Sequence, residues 1–476
     1  MADDPDYKLN VTIRASGLEV PRVPCRVYLP KAKPGAVVLA FYPTRQQANK
    51  LASVFECSVE GNVRDLAGLQ TKVRAHRVYL HGTSTKYWGT AQWEVSLKGE
   101  PSDLRVVQTY PPRAALKGRV VGAFWLTPSL MLAPSKMIER SVTGDVKVQT
   151  VRQVTFRLQS GVQLTFDTHY QYTKGEAGQS VTFPELVGTF EHRPQLKGRS
   201  KVSDSFLQQV DDFLRVVSFG ERQRCACVGW DAADTWGVER HFRRDISIPA
   251  VRKDQSLNDA VIDIKDFQEF AQITYDRLAA ETSPLVRQAL AYALYREDRT
   301  VENSFMTAYA AIETLFLHHR RANGWETILN REAWQSVVRG LKQCLRSNPW
   351  LSTDRVARGL IYEKLPELNR VSFGRVFESF CQRYGIDVRD LWPVARDSSG
   401  ITLSDIRNRL VHGEHFNPPQ LVALIVALQH LRWIAERMIL GFFGWPVARS
   451  NVSGRSLASN TRGYRNWREH QSSFST

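Results

Sequence analysis

The stretch Asp405-Ile406-Arg407-Asn408-Arg409-Leu410-Val411-His412-Gly413 places a guanidinium, an amide and an imidazole close together. On a helix, Asn408 and His412 are four residues apart and lie side by side. Arg407 is five residues from His412, about 140° around the axis, a gap that an arginine side chain can close. Imidazole takes and returns a proton near neutral pH, and a guanidinium offers a fixed fork to phosphate. The pair therefore suits phosphodiester cleavage. His412 would assist attack of an RNA 2′-hydroxyl on the neighbouring phosphate, Arg407 would stabilise charge on the phosphorane, and a 2′,3′-cyclic phosphate would follow. This chemistry needs no metal and no cofactor, and none is expected. A plainer reading stands beside it, in which His412-Gly413 is only a helix end with a glycine cap and a favourable dipole contact.

The elements that must position these residues are helical. Ser404 or Asp405 is expected to cap the helix carrying the motif. Upstream, Ser283-Pro284 suits a helix start, and Leu285, Ala289, Leu290, Ala293 and Leu294 continue it as one stripe. The apolar run Phe305 to Leu317 holds a single acid, Glu313, which needs an explanation. Further helical segments are expected around Trp334–Leu345 and Val371–Tyr384, with a polar loop at Asp397-Ser398-Ser399-Gly400. Leu421–Phe443 has the length of a membrane span, but Gln429, His430, Arg432, Glu436 and Arg437 would be costly in hydrocarbon, so it reads as a core helix.

Arg407-Asn408-x-x-x-His412-Gly413 resembles the Arg-x(4–6)-His motif of HEPN domains, in the form with Asn after Arg. Ala308-Tyr309-Ala310-Ala311-Ile312-Glu313-Thr314-Leu315-Phe316 resembles the preceding core helix of the ApeA-like HEPN subgroup. The resemblance covers about residues 285–445. More weakly, it extends over residues 1–250 to the β-rich N-terminal region of ApeA-type abortive phage-resistance proteins, best in Val210–Leu214 through Ser218–Gly220. It implies a cytoplasmic ribonuclease that cleaves host RNA, with tRNA as a substrate class, during infection. It also implies a homodimer or higher homo-oligomer in which two protomers bring their motifs into one cleft. By the same resemblance Glu313 faces that cleft and orients Arg407 or His412; a buried ion pair joining two helices is the structural alternative. Arg409 and Glu414-His415 lie beside the motif, where Arg409 and His415 are candidates for phosphate contact or are simply solvated. Two other functions remain open: a non-catalytic HEPN module that binds RNA or scaffolds proteins, and an adaptor sensing a phage protein through the N-terminal half.

The remainder of the chain bounds these readings. With 476 residues, 43% hydrophobic and 24% charged, the sequence is that of a folded protein of several domains. Its net charge of +16 favours polyanionic partners. Residues 1–200 carry 27 basic against 16 acidic side chains, so much of the surplus lies there. From Val11 to Glu191 the text is strand-like, with runs such as Val120-Val121, Val151–Phe156 and Val162–Phe166 punctuated by Gly and Pro. Lys174–Gly178 reads as the loop to another strand. Near Asp204 the spacing of Phe206, Val210, Phe213, Leu214 and Val217 turns helical. Gly220–Pro249 reads as loop, and helical patterns dominate from Asn258. The expected class is α+β: a β-rich sensor or regulatory domain (1–200), a helix and connecting segment (201–284), a HEPN helical domain (285–445) and a basic Arg/Ser-rich tail (446–476).

The acidic start Met1–Asp6 is unlike a secretory leader. Six irregularly spaced cysteines make no disulfide framework, as expected of a cytoplasmic protein. Cys225-x-Cys227 with His241 is a weak zinc pattern, and buried free thiols are the alternative. No phosphate loop and no His-Glu-x-x-His helix occurs. Two stretches mix cations with aromatics, His76–Tyr79 through Lys86–Trp88 and Arg462–Arg468. Each is a candidate for single-stranded RNA, the first also a candidate core face of a strand.

Overall fold

The computed structural model describes residues 5–30, 36–64, 69–88, 92–109, 119–140, 146–175, 178–192, 202–243, 259–294, 300–395, 400–461 and 464–474. The chain is α+β, with a β-rich N-terminal region and a helical C-terminal region. It divides into two compact units, residues 1–260 with 264–279, and residues 261–263 with 280–476.

The first unit begins with β1 (Tyr7–Ala15), β2 (Leu18–Tyr28), β3 (Val38–Phe41), α1 (Arg45–Leu51), β4 (Glu56–Arg64), β5 (Gln70–Trp88) and β6 (Gln92–Thr109). These six strands pair in the order β6-β3-β2-β1-β4-β5, and β5 pairs again with β6, which closes a barrel. Alternation explains the closure. Leu9, Val11 and Ile13 of β1 are buried while Lys8, Asn10 and Arg14 face outward, and Val73, Ala75 and Val106 complete the inner face. Some of the basic surplus is neutralised here. Glu60 pairs with Lys72 at 2.9 Å, Arg74 at 3.0 Å and Arg14 at 3.2 Å, and the Lys72 hydrogen bond leads in lowering its carboxyl to about 2.

The unit continues with β7 (Val120–Leu126), β8 (Ser135–Arg140), β9 (Val146–Arg152), β10 (Val154–Arg157), β11 (Gln163–Gly175), β12 (Gly178–His192), α2 (Asp204–Glu221), β13 (Cys227–Asp234), β14 (Gly237–Arg243) and α3 (Ile264–Ala280). On the far side of β6 the sheet extends as β14-β13-β7-β12-β11-β10, while β8 and β9 pair separately. Phe213 of α2 packs on Phe156 and Phe166 of the sheet, and Phe267 of α3 joins them. The edge strand β10 is covered by a side chain that imitates a strand. Gln272 of α3 accepts from the Arg157 N–H and donates to the Arg157 carbonyl, each at 2.9 Å.

Two expectations are corrected here. Gly220–Pro249 holds a β-hairpin, β13–β14, rather than a loop; residues 244–249 lie outside the described residues. Its glycines mislead because they serve close strand packing: a Cβ on Gly229 would lie 2.4 Å from the His241 carbonyl oxygen. The segment 201–284 is also not a separate connection, because α2, β13, β14 and most of α3 complete the β-rich unit.

The second unit contains α4 (Pro284–Leu294), α5 (Val301–Ala322), α6 (Arg331–Ser347), α7 (Arg355–Leu368), α8 (Phe373–Tyr384), α9 (Leu403–Val411), α10 (Pro418–Phe442), α11 (Gly454–Asn460) and α12 (Trp467–Ser472). Of these, α7, α11 and α12 have no helical counterpart among the sequence expectations. The central pair is α5 and α10, against which α4, α8, α9 and α12 pack. Phe305, Ile312 and Phe316 of α5, Phe380 of α8, Ile406 of α9 and Leu431 and Met438 of α10 are all buried. Among the described residues no helix is long and apolar enough to cross a membrane.

Residues 446–476 are not a free tail. Tyr464, Trp467 and Phe474 are buried in this unit. The Tyr464 hydroxyl donates to Asp390 at 2.5 Å, and Gln471 donates to the Ile401 carbonyl at 2.8 Å. The aromatic residues among the basic ones supply the apolar area that holds the segment down.

Candidate active site

α9 is short, so its ends and its buried face must define it. Thr402 caps it, two or three residues earlier than the sequence suggests. The Thr402 hydroxyl oxygen accepts from the Asp405 N–H at 3.2 Å, and the Asp405 carboxylate accepts from the Thr402 N–H at 2.9 Å, a reciprocal capping box. Leu403 and Ile406 point into the core. That choice of face leaves Asp405, Asn408 and His412 exposed and sets Arg407 half-buried at the border.

Arg407 reaches from this border to α5. Its Nη2 lies 3.4 Å from Glu313 Oε1, and its guanidinium carbon lies 5.9 Å from the centre of the Tyr309 ring. Its Nη1 donates to the Asn408 side-chain oxygen at 3.3 Å, which draws the charge toward the exposed face. Arg407 Nε is buried without a hydrogen-bond partner among the described residues. Glu313 is itself 43% exposed, so the interaction is a solvated clamp and not the fully buried ion pair of the structural alternative.

Tyr309 is fixed in turn. Its hydroxyl lies 2.8 Å from Ser404 Oγ, and Ser404 donates to the Val394 carbonyl at 2.6 Å. Burial pushes the Tyr309 phenol well up, so it remains a neutral donor. Beside Glu313 opens a hollow of about 430 Å³, lined by residues that include Tyr292, Phe316, Arg320 and Phe373.

His412 stands one turn beyond Asn408 on the same exposed face, as the C-cap of α9. Its N–H donates to the Asn408 carbonyl at 3.0 Å, while its imidazole has no hydrogen-bond partner among the described residues. Gly413 follows with φ +74°, the left-handed conformation that lets the chain leave the helix directly after the histidine. His412-Gly413 is therefore a helix end with a glycine cap, and that cap leaves the imidazole exposed.

The structure separates Arg409 from this group. Its guanidinium forks onto Glu414, with Nε 2.6 Å from one carboxylate oxygen, and donates to the Phe474 carbonyl at 3.1 Å. It also lies over the Phe416 and Phe474 rings. The Arg409 hydrogen bond, its leading cause, holds the Glu414 carboxyl below its ordinary value. Arg409 therefore ties the C-terminal segment to α9, with its guanidinium engaged by groups of its own chain and not simply solvated. His415 is exposed in the loop before α10, with no partner among the described residues that ties it to the motif.

The other sequence candidates fare differently. Cys225 and Cys227 are buried, and desolvation raises Cys225 and pushes Cys227 up to about 12, so both remain thiols. His241 pairs with Asp103 at 2.7 Å. Among the described residues no group of three or more His, Cys, Asp or Glu side chains converges as a metal site. Tyr464 and Trp467 are buried and unavailable for base stacking, and Arg462 and Gly463 lie outside the described residues. In β5, Val73, Ala75 and Val78 form the core face while His76, Arg77 and Tyr79 face outward.

Tyr309 and Ser404 are the site residues that sequence reading overlooked. Tyr309 sits four residues before Glu313 on one helix face, a spacing that signals a shared surface. In the sequence Ser404 reads only as a candidate cap. The chain matches no family model, no curated protein and no solved structure.

Proposed function

We propose that this protein is a metal-independent endoribonuclease of the HEPN type, acting on host RNA in abortive defence against phage. The observation that supports it most is the partly exposed Arg407, held by Glu313 and Tyr309, on the same short helix that presents the His412 imidazole with no hydrogen-bond partner among the described residues. In this reading His412 accepts the proton of an RNA 2′-hydroxyl as it attacks the adjacent phosphorus. The P–O5′ bond breaks, and the proton returned to the leaving oxygen completes a 2′,3′-cyclic phosphate and a 5′-hydroxyl end. Arg407 neutralises the charge that gathers on the non-bridging oxygens, and Asn408 and Glu313 orient its fork.

The proposed catalytic unit is a homodimer, with the motifs of two protomers in one cleft. Val411 at the exit of α9 and Leu421, Val422 and Ile425 at the start of α10 are exposed apolar side chains that a second copy could cover. Structured RNA such as tRNA is the proposed substrate, a phage protein the proposed trigger, and the cytoplasm the proposed location.

The test is cleavage of total cellular RNA by wild type, Arg407→Ala and His412→Ala in EDTA, with and without extract of infected cells, and with product ends mapped. Cyclic phosphate ends that appear with wild type and vanish in both variants support the reading. RNA that is bound and never cut under either condition overturns it in favour of a binding or scaffolding module.

A further inference from the structure

The hairpin of α6 and α7 is the part of the helical unit that the proposed chemistry does not use. α6 buries none of its side chains. Its apolar residues Trp334, Val338, Leu341 and Leu345 form a half-buried stripe, and α7 is the helix against which it packs. The Tyr362 hydroxyl of α7 donates to the Lys342 carbonyl at 3.2 Å.

The cations of α6 obey a second period. Arg331, Arg339, Lys342 and Arg346 are spaced by eight, three and four residues, which places them within about 80° of one another around the axis and spreads them over about 22 Å. None of the four has an acidic partner among the described residues. Lys342 instead lies over the Tyr362 ring at 5.0 Å. Glu332 is the single acid on this helix. The stripe is as long as about six stacked nucleotides of one strand.

At the tip stands Trp350, 88% exposed. The turn beneath it is built rather than loose. Asn348 accepts from the N–H groups of Trp350, Leu351 and Ser352, and Arg358 donates to the carbonyls of Leu351 and Ser352 at 3.0 and 3.1 Å. A fixed backbone that holds an indole in water offers a flat face for stacking, at little further loss of entropy on binding.

We propose that the α6–α7 hairpin is an RNA-docking arm, in which Arg331, Arg339, Lys342 and Arg346 follow a phosphate backbone and Trp350 stacks on an unpaired base. The assignment rests on the ribonuclease reading and deepens it: the substrate is structured RNA with an accessible single-stranded loop. A membrane surface is the competing polyanion, since Val337, Val356 and Leu360 of the hairpin are exposed as well, but the cations are spread over a length that suits one nucleic-acid strand, and vesicles are therefore one arm of the test. A second copy of the chain would bring the same cations against themselves.

The test uses the full chain carrying His412→Ala, so that RNA is bound and not consumed, with a fluorescein-labelled RNA stem-loop titrated at several salt concentrations. Arg339→Glu with Arg346→Glu is expected to weaken binding at least tenfold and to flatten the dependence of log Kd on log salt by about one to two. Trp350→Ala is expected to weaken it about tenfold with the salt slope unchanged, and Trp350→Phe to restore most of the loss. Equal thermal unfolding of all variants shows that the fold is kept, since these side chains are exposed.

RNA binding unchanged in both the charge-reversed and the Trp350→Ala proteins overturns the proposal. So does a charge-dependent association with phosphatidylserine vesicles, or a change of oligomeric state in sedimentation, if RNA binding stays constant. The two readings fail separately. Wild type that cuts RNA while the arm variants bind it normally defeats the arm alone, and arm variants that lose RNA while wild type never cuts defeat catalysis alone.

Discussion

Arg437 and Arg407 stand on successive helices of one unit and are used in opposite ways. Arg437, in the C-terminal part of α10, is buried, and every nitrogen of its guanidinium is engaged. Nε donates to the Val452 carbonyl, Nη1 to the Asp387 carbonyl and to Asp390, and Nη2 to Asp390 at 2.7 Å. Burial works to raise the Asp390 carboxyl, and the Arg437 and Tyr464 hydrogen bonds outweigh it, leaving it below its ordinary value. Arg407 is partly exposed and shares its Nη groups with a solvated carboxylate and an exposed amide. A guanidinium buried with its donors taken by its own chain is structural, whereas one held in place at the surface is available to a phosphate. Arg409 belongs with Arg437 by this criterion, and the cations of α6 belong with Arg407.

The contrast breaks most readily at the motif. Arg407→Ala and His412→Ala are expected to lower cleavage by about 10² to 10⁴-fold while changing stability by less than about 1 kcal/mol, measured by product formation beside urea unfolding. A stability loss without selective loss of cleavage would place Arg407 with Arg437 after all. Arg437→Ala should do the reverse, costing about 3–5 kcal/mol in urea unfolding because it strands the Asp390 carboxylate in a half-buried site.

Glu221 sharpens the comparison from the other unit. It is a buried acid met by neutral donors, Ser129 at 2.6 Å and the Met131 N–H at 2.5 Å, and desolvation raises its carboxyl to about 7. The folded chain then holds this proton more tightly than the unfolded chain does. Its contribution is fully present below about pH 4.5 and is lost as pH rises to about 7, a change on the order of 3 kcal/mol. Glu221→Gln should therefore flatten the pH dependence of the melting temperature between pH 4.5 and 8. An unchanged slope would mean that this carboxyl titrates normally.

Two smaller effects complete the series. Glu313→Gln is expected to lower kcat about tenfold with KM little changed and stability altered by less than about 1 kcal/mol, as suits a positioning residue on an exposed clamp. Arg339→Ala on α6 should leave urea unfolding within about 0.5 kcal/mol of wild type; a larger cost would show that the stripe is part of the fold.

Local periodicity accounts for what the sequence alone determined. Apolar spacing marked α2 and α4 because a helix must turn one face to the core whatever its partner, and the long apolar runs of α5 and α10 marked the helices of the core. Asn408 and His412 were legible as neighbours because positions four apart on a helix always are. Tertiary structure decided the rest, since it depends on groups distant in the chain. β13 was hidden because its glycine, Gly229, serves backbone approach in the sheet, and α3 joined the β-rich unit through Gln272 and Phe267, which no helical pattern reveals. The arginines of the motif look alike in sequence: Arg407 was left available and Arg409 committed only because folding brought Glu313 to one, and Glu414 and the Phe474 carbonyl to the other. A side chain's chemistry is written in its type, but whether its donors remain free is settled by what the fold places within hydrogen-bonding reach.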